Sequence, residues 1–185
     1  MVTPEGDGIR PTGDRVREAL FSILGDLHDA VVVDGFAGTG ALGCEALSRG
    51  AKRCYFFDKT TEAIDAVHEN VRRVGLERQA IIRKCAFEFG LVNHVREEPD
   101  LWLLDPPYGS GLGAKALEAM LESPHVTEGA LVVLESGGDD ETPKVEGFEL
   151  EDERRYGRTR LLFYRRSSGD VVDGENEEQD GQEEQ

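Results

Sequence analysis

The segment LWLLDPPYGSG, residues 101–111, ends an apolar run in an acid, two prolines and a tyrosine. Asp105 offers carboxylate oxygens, and Pro106 and Pro107 keep free carbonyl acceptors on a stiff backbone because proline has no N–H. The ring of Tyr108 can stack on a base turned out of its helix. Acceptors beside a flat face suit the exocyclic amine of a nucleobase, which must be oriented and whose developing positive charge must be stabilised. The structural alternative is a strand-ending turn with a packed tyrosine.

A glycine-rich segment, residues 34–43, is the second candidate site. Gly38, Gly40 and Gly43 match G-x-G-x-x-G before a helical stretch, where glycines permit a tight turn and let a ligand approach the backbone. Asp58 follows Gly38 by 20 residues, the spacing of an acid that accepts hydrogen bonds from ribose hydroxyls. The pattern indicates an adenosine-containing ligand, with a purely structural glycine turn as the alternative.

An acid before the glycines narrows the identity of this ligand. Asp34 ends the preceding apolar run, where a negative charge would repel a pyrophosphate bound at a helix N-terminus. The same charge suits S-adenosylmethionine, which carries a sulfonium and an ammonium group. The pattern D-x-F-x-G-x-G, with Phe36 in the third position, therefore resembles motif I of the class I methyltransferases.

The elements that must hold these residues follow from an alternation of apolar runs and helical stretches. Continuously apolar runs are typical of strands covered on both sides, and they lie at 31–34, 54–57, 80–83, 101–105 and 130–135. Apolar residues recur with helical spacing in 10–27, 40–49 and 61–74. This alternation predicts an α/β fold with a parallel, doubly wound sheet.

Two further details of the fold can be predicted. Thr12 or Asp14 is the expected N-cap of the first helix, and residues 148–166 indicate two final strands around a Tyr-Gly turn, with an antiparallel end to the sheet. Ligands bind at the carboxyl ends of parallel strands. Asp105 is therefore expected to face the ligand of the glycine loop.

The formal net charge is −17, which at first disfavours a nucleic-acid partner. The last 19 residues carry eight acids and no base, so the rest of the chain carries −17 + 8 = −9. Acid-rich, lysine-poor composition suggests the hypothesis of a salt-adapted protein, which full activity at low salt would exclude. Scattered cysteines, no secretory signal and no membrane span favour a cytoplasmic protein, and a monomer is expected.

Three segments together resemble the RsmD family, whose members methylate a guanine N2 in small-subunit (16S) ribosomal RNA. These segments are RPTGDRVREALF (10–21), DGFAGTGALGCEALSRGA (34–51) and DPPY (105–108), and the resemblance covers roughly residues 10 to 166. It implies the class I methyltransferase fold, Rossmann-like, with seven strands of which the last is antiparallel. It divides the chain into a flexible start (1–9), a methyltransferase domain (10–166) and a disordered acidic tail (167–185).

The resemblance also implies roles for individual residues. Asp105, Pro106, Pro107 and Tyr108 would form the catalytic motif, and Arg10, Thr12 and Arg15 would lie near the mouth of the site, close to RNA. S-adenosylmethionine would be held by Asp34, Phe36, Gly38, Gly40, Asp58, Lys59, Cys85 and Ala86. No metal is expected, because the four histidines lack the spacing of metal ligands.

The chain departs from the family pattern outside the catalytic motif. The basic segment that usually precedes R-P-T is replaced by VTPEGDGI, which bears on how RNA is held. Cys85 stands where family members often have Asp or Asn, Gly13 where they have a hydroxyl residue, and Thr60 where they have an acid. These three differences bear on the affinity for the cofactor. Two alternatives stay open: amine methylation of another nucleic acid, such as adenine N6, and a non-catalytic ribosome-assembly factor that binds RNA.

Overall fold

The computed structural model of the chain describes residues 11–167. The predicted flexible start, 1–9, and the predicted tail beyond Ser167 lie outside the described residues, so both stay predictions. In order, the described elements are α1 (Pro11–Leu24), β1 (Val31–Asp34), α2 (Ala41–Ser48), β2 (Arg53–Asp58), α3 (Thr61–Arg73), β3 (Ala80–Lys84), α4 (Phe87–Asn93), β4 (Leu101–Leu104), α5 (Leu112–Leu121), β5 (Leu131–Gly137), β6 (Phe148–Tyr156) and β7 (Thr159–Arg166).

All seven strands join one sheet, in the order β3-β2-β1-β4-β5-β7-β6. The pairs among β1 to β5 are parallel, whereas β7 runs antiparallel to both β5 and β6. The predicted class I fold, a mostly parallel seven-stranded sheet with an antiparallel last strand, is therefore confirmed. Within residues 11–167 no helix is long and apolar enough to cross a membrane.

Helices cover both faces of the sheet, which explains why the strands are apolar without alternation. One core contains side chains of α1, α2 and α3, and the opposite core contains those of α4 and α5. In β4, Leu103 faces the first core while Trp102 and Leu104 face the second. Every side chain of this strand is buried, so the polar residue that follows it must mark an edge of the core.

The predicted ends of the strands and helices are close to the observed ones except at α1, which was predicted over 10–27. The prediction of Thr12 or Asp14 as N-cap is wrong, because α1 begins at Pro11 and both residues lie inside its first turn. A proline suits this first helical position, where its missing N–H has no helical partner to lose. The helix ends at Leu24 because Gly25 has a φ of 70°. Helices α4 and α5 were not predicted.

Gly43, in α2, gives a test of the packing under the glycine loop. A Cβ built on Gly43 would lie 2.7 Å from Cys54 Sγ and closer still to the Phe56 ring. We expect Gly43→Ala to lower the free energy of unfolding by about 1–3 kcal/mol, because the added methyl overpacks the core. Urea unfolding followed by circular dichroism measures the change.

Gly13→Ala in α1 is the matched control. A Cβ at Gly13 has no atom within 4 Å, so this change should leave stability equal or raise it by up to about 1 kcal/mol through lower backbone entropy. Equal losses in the two variants would contradict the packing explanation.

Candidate active site

A cavity of about 640 Å³ opens at the carboxyl ends of β1, β2 and β4. Its size suits a small-molecule ligand. It brings together most of the site residues predicted from the sequence, and those that line it are Asp34, Phe36, Gly38, Asp58, Lys59, Cys85, Asp105, Pro106, Pro107 and Tyr108. The two candidate segments therefore face each other across one cavity, as their positions at strand ends predicted.

Three other predicted site residues, Gly40, Ala86 and Arg15, do not line this cavity. Gly40 is buried at the start of α2 with a φ of 75°, and a Cβ there would lie 3.1 Å from Val67. Ala86 precedes α4, and Arg15 is exposed on α1. Arg10 and the side chain of Thr12 lie outside the described residues. Their predicted roles near RNA stay predictions.

Gly38 and Asp58 join the glycine loop to the end of β2. The Gly38 N–H donates to Asp58 Oδ2 (3.0 Å), and a Cβ at Gly38 would have no protein atom within 4 Å. Thr60 donates to Asp58 Oδ1 from both its N–H and its hydroxyl, each at 2.9 Å, and accepts from the Ala63 N–H to cap α3. A carboxylate accepts about four hydrogen bonds. Asp58 therefore keeps about one position for a ligand.

Asp34 is only 1% exposed, and its carboxylate points at the start of α2. The Gly43 N–H donates to Asp34 Oδ2 at 2.9 Å. Burial raises the pKa of Asp34 to about 7, the hydrogen bond from Gly43 counteracts this, and the negative charge of Asp58 adds to it. A cation in the cavity would stabilise the charged form.

Aromatic side chains form the apolar wall of the cavity. The rings of Phe36 and Phe87 stack at 5.8 Å, and Phe87 meets Trp102 edge-on at 6.2 Å. This packing leaves no space beside Gly35, where a Cβ would lie 2.6 Å from Phe87. The wall therefore requires glycine directly after Asp34.

Asp105 follows β4 directly and is exposed to the cavity. Loss of water around the carboxyl raises the pKa of Asp105, and the negative charges of Glu135 and Asp34 raise it further. Because the residue is open to the cavity, solvent screens part of these effects. Asp105 is thus a carboxyl that holds a proton more readily than usual, placed beside two other acids.

The Tyr108 hydroxyl is fixed by one residue from β5 and one from β7, the next two strands beyond β4 in the sheet. It donates to Glu135 Oε1 at 2.5 Å and lies 3.0 Å from the Thr159 hydroxyl. Burial and the hydrogen bond to Glu135 raise the pKa of Tyr108, so the phenol keeps its proton. The ring remains about half exposed, with its orientation set by the hydroxyl.

The Asp105–Tyr108 segment is also tied to the β5–β6 connection. Asp140 Oδ2 accepts from the N–H groups of Gly109 (3.2 Å) and Gly137 (2.9 Å), and these bonds lower the pKa of Asp140. Buried Arg160 donates to the carbonyls of Gly137 and Asp140 and to Thr142. Arg160 therefore holds the connection that in turn holds the backbone after Tyr108.

A second cavity, of about 790 Å³, lies between the start of α5 and the β5–β6 connection. It shares Pro106, Pro107 and Glu135 with the first cavity. The Asp105–Tyr108 segment therefore forms part of a wall between two spaces.

The sequence patterns did not identify three residues that line the cavity or contact Tyr108: Glu135, Thr159 and Phe87. Glu135 ends the apolar run at 130–135, and the strand-end rule that located Asp34 and Asp105 could have found it. Thr159 could not have been found this way, because it meets Tyr108 only through the pairing of β5 with β7.

The lining of the first cavity is rich in carboxyl groups. Its lining contains four carboxyl groups and one lysine: Asp34, Asp58, Asp105, Glu135 and Lys59. Among residues 11–167 no group of three His, Cys, Asp or Glu side chains has the geometry to hold a metal ion. The arrangement suits an organic cation with aromatic and hydroxyl-bearing parts.

Two proteins of similar sequence are named as methyltransferases of ribosomal RNA. The ribosomal RNA small subunit methyltransferase D of Haemophilus influenzae is 31% identical over 163 residues, covering 85% of this chain and 83% of the relative. The Escherichia coli protein of the same name is 28% identical, covering 91% and 85%.

A solved structure and a family model extend the comparison. The structure of yhhF from Escherichia coli superposes with a TM-score of 0.77 at 30% identity, covering 89% of this chain and 91% of that one. The model of the family described as conserved hypothetical protein 95 matches residues 1–165. The chain therefore belongs to this family, which is the RsmD family.

Proposed function

We propose that this protein methylates the exocyclic N2 amine of a guanine in small-subunit (16S) ribosomal RNA, with S-adenosylmethionine as methyl donor. The observation that carries the proposal is the presence of the Asp34–Gly38 loop and the Asp105–Tyr108 segment in one cavity. The first suits a cationic adenosyl ligand, and the second suits an amine on a flat base.

The residues of the cavity fit S-adenosylmethionine. When bound, it supplies a methyl group on a positively charged sulfur. Asp34 would face the methionine end and Asp58 would accept from the ribose, while Phe36 and Cys85 supply less polar surface. The Gly43 N–H at the start of α2 is already used by Asp34, so this helix end offers little to a pyrophosphate. A dinucleotide therefore fits the cavity less well.

The Asp105–Tyr108 segment accounts for the amine chemistry. The lone pair of a guanine N2 is delocalised into the ring, so the amine must be oriented rather than strongly deprotonated before attack. Asp105 Oδ atoms and the Pro106 carbonyl accept its two hydrogens and stabilise the positive charge that develops on nitrogen. Because the pKa of Asp105 is raised, its carboxylate is also a competent acceptor for the proton that the methylated nitrogen then releases.

Ribosomal RNA as substrate is supported by the names of the relatives from Haemophilus influenzae and Escherichia coli. The guanine N2 is supported by the resemblance of the R-P-T, glycine-loop and D-P-P-Y segments to the RsmD pattern. Such a substrate would place the activity in the cytoplasm.

The central experiment is mass-spectrometric mapping of modified nucleosides in ribosomal RNA from a deletion strain and its parent. We expect one N2-methylguanosine of the small-subunit RNA to disappear on deletion and to return with the wild-type gene. Loss of a methyladenosine instead would support adenine N6 as the target. An unchanged set of methylated nucleosides would exclude catalysis on ribosomal RNA.

Two substitutions separate catalysis from cofactor binding. Asp105→Ala should abolish methyl transfer while S-adenosylmethionine binding, measured by calorimetry, stays largely intact, because the carboxylate acts on the amine. Asp58→Ala should weaken that binding by about 1–3 kcal/mol through lost charge-assisted hydrogen bonds. Turnover by Asp105→Ala would contradict the mechanism, and unchanged affinity in Asp58→Ala would contradict the role of Asp58.

The raised pKa of Asp34 predicts that the affinity for the cofactor depends on pH. Its pKa of about 7 means that much of the carboxyl is protonated at pH 6, and a cation favours the charged form, so binding there releases a proton. Affinity should therefore rise by up to about tenfold from pH 6 to pH 8 and then level off. Asp34→Asn should bind more weakly and lack this part of the rise.

Calorimetry at several pH values measures this change, and buffers of different ionisation enthalpy report the released proton. Asp105→Asn is the matched control, because Asp105 also has a raised pKa. An equal rise in wild type and Asp34→Asn would assign the titration to another carboxyl.

A further inference from the structure

The hydrogen bonds at Tyr108 fix Glu135 as an acceptor. The Tyr108 hydroxyl has one proton, and it is directed to Glu135 Oε1. The Thr159 hydroxyl can donate its own proton to the tyrosine oxygen at 3.0 Å. This order runs from Thr159 through Tyr108 to Glu135, and it stabilises the carboxylate form of Glu135.

The second carboxylate oxygen of Glu135, Oε2, accepts no hydrogen bond from any residue in the range 11–167. Glu135 is only partly buried and lines the same cavity as Asp105 and Tyr108. Its negative charge is also close enough to raise the pKa of Asp105. An acceptor that is held from behind thus lies beside the groups proposed to hold the amine.

The neighbouring ring nitrogen distinguishes guanine from adenine. Next to the N2 amine of guanine is N1–H, a hydrogen-bond donor, whereas next to the N6 amine of adenine is N1, an acceptor. A carboxylate beside the amine pairs with the guanine edge and repels the adenine edge. Proteins commonly use a fixed side-chain acceptor to select one pattern of base donors over another.

We infer that Glu135 is a specificity-determining residue that accepts the N1–H of the target guanine while Asp105 and the Pro106 carbonyl hold its N2 amine. The inference rests on the proposed function and deepens it. It gives the hydrogen bonds from Thr159 through Tyr108 to Glu135 a role beyond orienting the tyrosine ring. These hydrogen bonds stabilise the charged form of Glu135 and hold its carboxylate towards the base. The base selected is one with adjacent donors at N1 and N2.

The test uses 2-aminopurine, which has the N2 amine but no hydrogen on N1. RNA fragments are made with either guanine or 2-aminopurine at the nucleotide mapped in the deletion strain, and transfer of radiolabelled methyl gives kcat/KM for each. Wild type should prefer guanine by at least about tenfold. Glu135→Gln should lower this preference by at least about tenfold, because the amide can still accept from Tyr108 and can donate to N1 of 2-aminopurine.

One further variant and one control accompany this test. Tyr108→Phe keeps the ring but removes the hydrogen bond that aims Glu135, so it should lower both rates and also lower the guanine preference, by less than Glu135→Gln does. Glu149→Gln alters an exposed acid in β6 and should change neither rate nor ratio. The ratio compares two substrates on one protein sample, so partial unfolding of a variant does not affect it.

The outcomes separate this inference from the proposed function. A guanine preference that is the same in wild type and Glu135→Gln would overturn the role of Glu135 while leaving guanine methylation in place. An unchanged guanine preference in Tyr108→Phe would overturn the role given to the hydrogen bonds from Thr159 through Tyr108 to Glu135. A deletion strain that loses no N2-methylguanosine from its small-subunit RNA would overturn both proposals.

Discussion

The pairing of β1 with β4 is the constraint on which the site depends. In this parallel register Asp34 lies opposite Leu103, and the Gly35 N–H donates to the Leu103 carbonyl at 2.9 Å. The two strands are neighbours in space although their last residues, Asp34 and Leu104, are 70 positions apart in the sequence. Because both strands end at the same edge, the glycine loop and Asp105 open into one cavity.

The buried strands and the positions of the two motifs could be predicted from the sequence. Strands covered on both faces are uninterrupted apolar runs, and a polar residue at the end of such a run marks the edge of the core. Asp34 and Asp105 were found this way. Helix α4 was not found, since it is short, contains Gly90 and exposes Phe89 and Val92, so it lacks a clear apolar face.

The roles of residues within a motif were harder to predict than the motif itself. Gly38 and Gly40 belong to one pattern, yet only Gly38 lines the cavity, because Gly40 packs against Val67 of α3. Thr60 departs from the family pattern but caps α3 and binds Asp58. Such roles depend on contacts between elements far apart in sequence, and no local spacing reveals them.

The acids in the cavity illustrate a conflict between folding and binding. Asp34, Asp105 and Glu135 all have raised pKa values because they lose water, and like charge adds to this at Asp34 and Asp105. Folding alone does not favour such a cluster. A cationic ligand would reverse the repulsion, so the cluster is best understood as an arrangement completed by binding.

The contact between Tyr108 and Thr159 has a consequence for synthesis of the chain. The two residues are 51 positions apart, and Thr159 begins the antiparallel strand β7. A ribosome that has just released the β4 segment has therefore made Asp105 and Tyr108 but not the hydroxyl that orients the ring. The cavity is completed only when nearly all of the described part has been synthesised, so an incomplete nascent chain cannot hold Tyr108 in its final orientation.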